Sequence, residues 1–169
     1  MPDDAALFDL ATRVGRRLLG SGRRLVTAES CTAGWIAKAI TDVPGSSQWF
    51  DSGFVTYSNA AKVRDLGVSQ QTLDTYGAVS EQTVREMAHG ALRATGADVA
   101  IAVSGIAGPN GGVPGKPVGT VWFAIASKRG DEVVVETRRQ LFNRDRETIR
   151  RRAVEYALEL VLQLEPRKG

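Results

Sequence analysis

The chain has 169 residues, 43% apolar and 24% charged, proportions that allow one ordinary buried core and exclude a globally disordered chain. Its 22 Lys and Arg against 19 Asp and Glu leave a formal charge of only +3, which does not point to nucleic acid as a partner. One cysteine, Cys31, and one histidine, His89, exclude an internal disulfide and provide no cluster for zinc, so no metal site is expected.

The chain opens on Asp3 and Asp4, where an export signal would open basic, and no apolar stretch reaches the roughly 18 residues of a membrane span. A cytoplasmic protein without a membrane partner is expected, with one domain over 1–169. Residues 5–19 carry Leu7, Leu10, Ala11, Val14 and Leu18 at helical spacing, with Asp3 or Asp4 as cap and Gly20 as stop. Leu25 to Ala28 reads as a strand that breaks at Glu29-Ser30-Cys31-Thr32, and Ala33 to Ile40 as a helix. The same grammar returns with a strand over Ser52 to Tyr57, a short helix from Asn59 to near Gly67, and a helical turn or two over Thr72 to Tyr76. Ser80 caps a helix over Glu81 to Thr95 that Gly96 ends.

Ala97 to Ser104 is nearly all apolar and of strand length, the mark of a central strand buried on both faces. Residues 105–119 then hold six glycines and three prolines, a loop long enough to suggest function. Thr120 to Ser127 and Glu132 to Leu141 form a hairpin, Arg146 to Leu164 the closing helix, and Glu165 to Gly169 a fraying end. Helices alternating with three strands before a hairpin predict a three-layer α/β/α sandwich on a mixed, mostly parallel five-stranded sheet.

Ligands of open α/β sheets gather at the carboxyl ends of the strands. Three junctions meet there: Glu29 to Thr32, Tyr57 to Asn59 with Lys62, and Ser104 to Gly108. His89 sits mid-helix beside Ala88 and Gly90, so a Ser-His-Asp triad is not expected and another base is needed. A lysine in a partly dry site loses its proton near neutral pH, which makes Ser30 with Lys62, and Tyr57 as relay, an available set. Taken alone, Ser30 reads first as an ordinary helix cap, and Cys31, the second candidate nucleophile, reads first as a small buried hydrophobe. The loop after Ser104 reads either as an anion-binding nest or as a connector. Arg146 and Arg150, one turn apart, read either as a phosphate clamp or as a solvated helix face. Trp35, Trp49, Trp122 and Phe50 read as core.

Taken together, Thr27-Ala28-Glu29-Ser30-Cys31-Thr32-Ala33-Gly34, Pro44-Gly45-Ser46-Ser47, Gly53-Phe54-Val55-Thr56-Tyr57-Ser58-Asn59, Gly77-Ala78-Val79-Ser80, Ser104-Gly105-Ile106-Ala107-Gly108-Pro109 and Pro117-Val118-Gly119-Thr120-Val121 form a recognisable series. In order and spacing over about residues 5–160 it resembles the CinA C-terminal-domain family. The resemblance implies an amidohydrolase that converts nicotinamide mononucleotide to nicotinate mononucleotide and ammonia in pyridine-nucleotide salvage, without metal or other cofactor. It implies Ser30 as nucleophile with Lys62 and Tyr57 handling protons. Glu29, Cys31, Thr32, Asn59, Ser104, Gly105, Ala107, Gly108, Thr120, Arg146 and Arg150 are the candidate substrate contacts, with Lys116 a further phosphate candidate. It also implies a homodimer or higher homo-oligomer. The alternative is a nucleotide-binding or regulatory module of the same family without turnover. Two departures stand out: Arg144 occupies the glycine position of the family's Gly-Asp-Arg, and Thr32-Ala33-Gly34 replaces Thr-Gly-Gly.

Overall fold

The computed structural model describes residues 1–165, and its five strands and six α-helices follow the predicted order. The strands are β1 (Leu25–Glu29), β2 (Phe50–Val55), β3 (Val99–Gly105), β4 (Thr120–Arg129) and β5 (Glu132–Leu141). They lie in the order β2-β1-β3-β4-β5, with β1 parallel to both β2 and β3, and β4 antiparallel to β3 and β5. Four strands therefore share one direction and β4 alone opposes them.

The helices are α1 (Asp4–Ser21), α2 (Trp35–Thr41), α3 (Asn59–Leu66), α4 (Gln70–Tyr76), α5 (Glu81–Ala94) and α6 (Arg146–Gln163). Side chains alternate across β3 and β4, and the two faces differ in size. Val99, Ile101, Val103, Val121, Phe123 and Ile125 meet α1, α2 and α6, while Ala100, Ala102, Ala124 and Ala126 face the layer that contains α5. The alanine face lets that layer approach closely. Within it, a Cβ on Gly90 of α5 would stand 1.8 Å from the Leu66 carbonyl oxygen at the end of α3, so only glycine permits the crossing. That packing fixes α3, the helix that carries Lys62.

Side-chain caps start most of the helices: Asp3, Ser58, Ser69, Ser80 and Asp145 each accept an amide of the first turn, a contact worth about 1 kcal/mol. Of the two aspartates offered for α1, Asp3 is the cap, and the helix runs past Gly20 to a left-handed Gly22. Gly20 carries no stop because the signal needs positive φ, which Gly22 supplies at 62°. The α5 cap at its C-terminus is Thr95 rather than Gly96.

Two shifts bear on the site. β2 spans Phe50 to Val55, because Phe50 already pairs with Leu25, so Thr56 and Tyr57 belong to the following turn. α2 starts at Trp35, and Ala33 sits outside it in the left-handed region at φ 50°. Of the predicted fraying end, residues 166–169 lie outside the described residues.

Candidate active site

Three chain segments leave the sheet at the carboxyl ends of neighbouring strands β1, β2 and β3, where the connection order reverses beside β1. A cleft of about 310 Å³ opens over them, lined by Ser30 and Cys31, by Tyr57, Asn59 and Lys62, by Ala78 and Val79, by residues 104–108, and by Asn110, Gly111 and Arg146.

Ser30 is not a helix cap. The N-cap of α2 is Gly34, and Ser30 lies in the turn before it with its amide donated to the Val103 carbonyl. Its hydroxyl oxygen accepts from Lys62 Nζ at 2.9 Å. Lys62 Nζ also donates to the Thr56 carbonyl at 2.8 Å and, at 3.4 Å, to that of Tyr57. Only 1% of Lys62 is exposed, and burial pushes its ammonium down to about 8. A neutral amine has two N–H groups and one lone pair. The three donated bonds are those of the ammonium; the neutral amine keeps the two carbonyls and accepts from the Ser30 hydroxyl instead, so the same geometry accommodates both forms.

Beside this pair the remaining candidates divide. Cys31 is buried, and burial together with the Glu29 charge raises its thiol to about 12, so at neutral pH it stays protonated. Tyr57 is 59% exposed, and its hydroxyl accepts from Arg146 Nη2 at 3.1 Å. Only its carbonyl approaches Lys62. Arg146 Nη1 donates to the Gly108 carbonyl at 2.7 Å, so this arginine joins the Tyr57 turn to the glycine-rich loop at the mouth of the cleft. Asn59, Ser104, Gly105, Ala107 and Gly108 all line the cleft. At Gly108, φ is 78° and a Cβ would stand 2.4 Å from Val118 Cγ1, which keeps that wall free of a side chain.

Other candidates point elsewhere. Glu29 is fully buried and accepts from Thr32 Oγ1 at 2.7 Å and from the Ile36 and Ala37 amides at 2.9 and 3.0 Å. It ties the turn to the start of α2, and burial raises its carboxyl. Thr32 is thereby committed to Glu29, and Thr120 donates to the Pro117 carbonyl at 2.7 Å. Arg150 holds the Cys31 and Thr32 carbonyls, and Lys116 the Tyr76 carbonyl in a neighbouring depression with Trp122. Of the aromatic residues read as core, Trp49 is buried, while Trp35, Phe50 and Trp122 are partly buried.

Sequence reasoning gave no site role to Thr56, whose carbonyl anchors Lys62, or to Ala78, Val79, Asn110 and Gly111 in the cleft wall. The Gly77-Ala78-Val79-Ser80 segment was legible as a motif, without a role. Among the described residues no group of three or more His, Cys, Asp or Glu side chains comes together to hold a metal, and no helix is long and apolar enough to cross a membrane.

The model of the CinA C-terminal domain family matches residues 7–164. The chain belongs to this family. It is 54% identical over 160 residues to the nicotinamide-nucleotide amidohydrolase PncC of Escherichia coli (strain K12), covering 95% of each chain. To the PncC of Enterobacter agglomerans it is 57% identical, covering 93% of this chain and 94% of that one. Among solved structures, a CinA superfamily protein from Escherichia coli superposes with a TM-score of 0.90 at 41% identity, covering 98% of this chain and 94% of that one. Against the family pattern quoted above, the departures at Ala33 and Arg144 both fall at positive φ, 50° and 93°.

Proposed function

We propose that this CinA-family domain is a nicotinamide-nucleotide amidohydrolase that cleaves the carboxamide of nicotinamide mononucleotide in pyridine-nucleotide salvage, with Ser30 as nucleophile and Lys62 as its base. The observation that carries the mechanism is the 2.9 Å contact between Ser30 Oγ and a buried Lys62 Nζ. The relatives named amidohydrolases support the substrate.

In this reading neutral Lys62 takes the Ser30 proton as Oγ bonds to the carboxamide carbon, and the carbonyl π electrons move to oxygen. The amides of Ser30 and Ile106 are engaged by Val103 and Thr120, which leaves those of Cys31, Ala107 and Gly108 as our candidates to receive the oxyanion. Protonated Lys62 then returns its proton to the departing nitrogen, the C–N bond breaks and ammonia leaves. Water attacks the resulting ester with Lys62 again as base, releasing the acid and restoring Ser30. We assign Tyr57 to the rim, where its hydroxyl supports Arg146, rather than to proton transfer. Arg146, beside Asn59 and Asn110, is our candidate for the 5′-phosphate because it is the guanidinium that faces the cleft.

The test is ammonia release from nicotinamide mononucleotide by the wild type, Ser30→Ala and Cys31→Ala. Turnover by wild type and Cys31→Ala with a folded but inactive Ser30→Ala is expected. Wild type that binds the nucleotide without releasing ammonia would overturn the proposal and leave a binding module.

A further inference from the structure

Arg150, on the second turn of α6, has a planar fork engaged in an unusual way. Its Nε donates to the Cys31 carbonyl at 2.9 Å and its Nη2 to the Thr32 carbonyl at 3.1 Å, the carbonyls of the two residues that follow Ser30. It does not line the cleft of Ser30 and Lys62; it lines a separate depression with Ala33, Gly34, Trp35 and Lys38. Its guanidinium stands 5.3 Å from the centre of the Trp35 ring, and that of Arg151 stands 4.8 Å from it. Arg151 is held in turn by Asp4 and Glu147. Glu29 accepts the Thr32 hydroxyl and the first amides of α2, so the Ser30 turn is gripped by a buried carboxyl as well as a guanidinium.

A solvated surface arginine would not commit two donors to adjacent carbonyls, and a substrate contact would face the cleft. Two carbonyls in fixed relation match the guanidinium fork, which the point charge of a lysine cannot span. In a trans peptide the N–H points opposite the carbonyl, so drawing the Cys31 carbonyl to Arg150 turns the Thr32 N–H away from it. The next unit, held at the Thr32 carbonyl, donates its Ala33 N–H to the Ser30 carbonyl at 3.0 Å, and the Cys31 N–H lies at the far end of that same Ser30–Cys31 peptide, so the grip of Arg150 is passed on to it. The field of Arg150 reaches the turn, where it lowers the Cys31 thiol against the larger upward push of burial and Glu29.

We propose that Arg150 is a positioning residue for the reaction, fixing the turn through the Cys31 and Thr32 carbonyls so that Ser30 is presented to Lys62 and the Cys31 amide is held for the oxyanion. This rests on Ser30 being the nucleophile. The experiment measures two things on Arg150→Gln, Arg150→Lys and wild type: steady-state turnover of nicotinamide mononucleotide, and the rate at which a fluorophosphonate labels Ser30. In the labelling step the Oγ–P bond forms as the P–F bond breaks, the serine proton passes to Lys62 and fluoride leaves.

In Arg150→Gln, kcat and the labelling rate both fall by about a hundredfold, the scale of losing one oxyanion donor, while KM stays within about threefold. Arg150→Lys recovers part of the loss, and added guanidinium ion at millimolar concentration raises turnover of Arg150→Gln. A raised KM with kcat intact would make Arg150 a substrate contact and overturn the proposal. So would wild-type kcat and labelling in folded Arg150→Gln. If that variant does not fold, full kcat and full labelling in Arg150→Lys have the same force. Wild type that labels without turnover defeats the amidase reading and leaves the labelling comparison to decide this one, and wild type that does neither defeats both.

Discussion

The floor and the rim of the cleft are built differently. On the floor Ser30 and Lys62 are buried, their partners are backbone carbonyls and each other, and the elements that carry them are locked by Glu29, Arg150 and the α3–α5 crossing. At the rim Tyr57, Asn59 and Arg146 are exposed, and the Arg146 to Tyr57 contact is a single side-chain hydrogen bond open to water. Dry surroundings shift a pKa and fix a distance, which the chemical step needs. Wet surroundings leave a guanidinium charged and adaptable, which suits recognition of an anion.

Mutating the floor sharpens this contrast most. Lys62→Met should lower kcat by about a thousandfold with KM little changed, measured as ammonia release under saturating nucleotide. A rate within tenfold of wild type would remove Lys62 as the base. Next in size is the pH profile. With Lys62 at about 8 and the neutral amine as the active form, kcat/KM should rise about tenfold per pH unit below 8 and level off above it. A profile flat from pH 6 to 9 contradicts that assignment.

The same shift has a stability consequence. Lys62 drops from an ordinary 10.5 to about 8 on folding, so between those values the unfolded chain binds more protons and wild-type stability from this group increases with pH. Below 8 its burial costs the fold fully. The difference in Tm between Lys62→Met and wild type should therefore move in favour of wild type as pH rises from 8 toward 10.5, read by thermal melts of both proteins.

Rim variants test the other half. Arg146→Ala should raise KM for the mononucleotide ten- to a hundredfold, by removing a charged contact, and change kcat less; Tyr57→Phe should cost no more than about tenfold in kcat/KM, the value of one exposed hydrogen bond. A loss from Tyr57→Phe as large as that from Lys62→Met, with KM unchanged, would return tyrosine to the proton path. The smallest effect lies outside both halves. Arg144 holds φ at 93°, a conformation that costs a non-glycine residue on the order of 1 kcal/mol, so Arg144→Gly should raise Tm by a few degrees and leave turnover unchanged.

Which residues could carry the chemistry was legible in the sequence because strand ends and helix starts announce themselves by composition, and Ser30, Tyr57 and Lys62 all fall at such junctions. What each side chain does there was not. Arg146 and Arg150 are one helical turn apart and identical in type, yet one faces the cleft and the other grips the back of the Ser30 turn. Periodicity places both on one side of a helix without saying what stands opposite each. Glu29 shows the same limit from the other direction. A polar residue beside a nucleophile reads as a substrate contact, but β-strand alternation turns it away from Ser30 and into the first amides of α2.

By itself the sequence determined the order of strands and helices, the layered architecture and the residue set at the sheet's carboxyl edge, because these follow from local periodicity, capping and turn chemistry. The tertiary structure alone decided that Lys62 reaches Ser30, that Tyr57 meets Arg146 and that Arg150 belongs to the scaffold. Contacts such as Lys62 to Ser30 join elements 32 residues apart in the chain, and the packing of α3 against α5 and the parallel placement of β1 between β2 and β3 bring them into register. Burial, which makes a lysine into a base, exists only once those layers have closed.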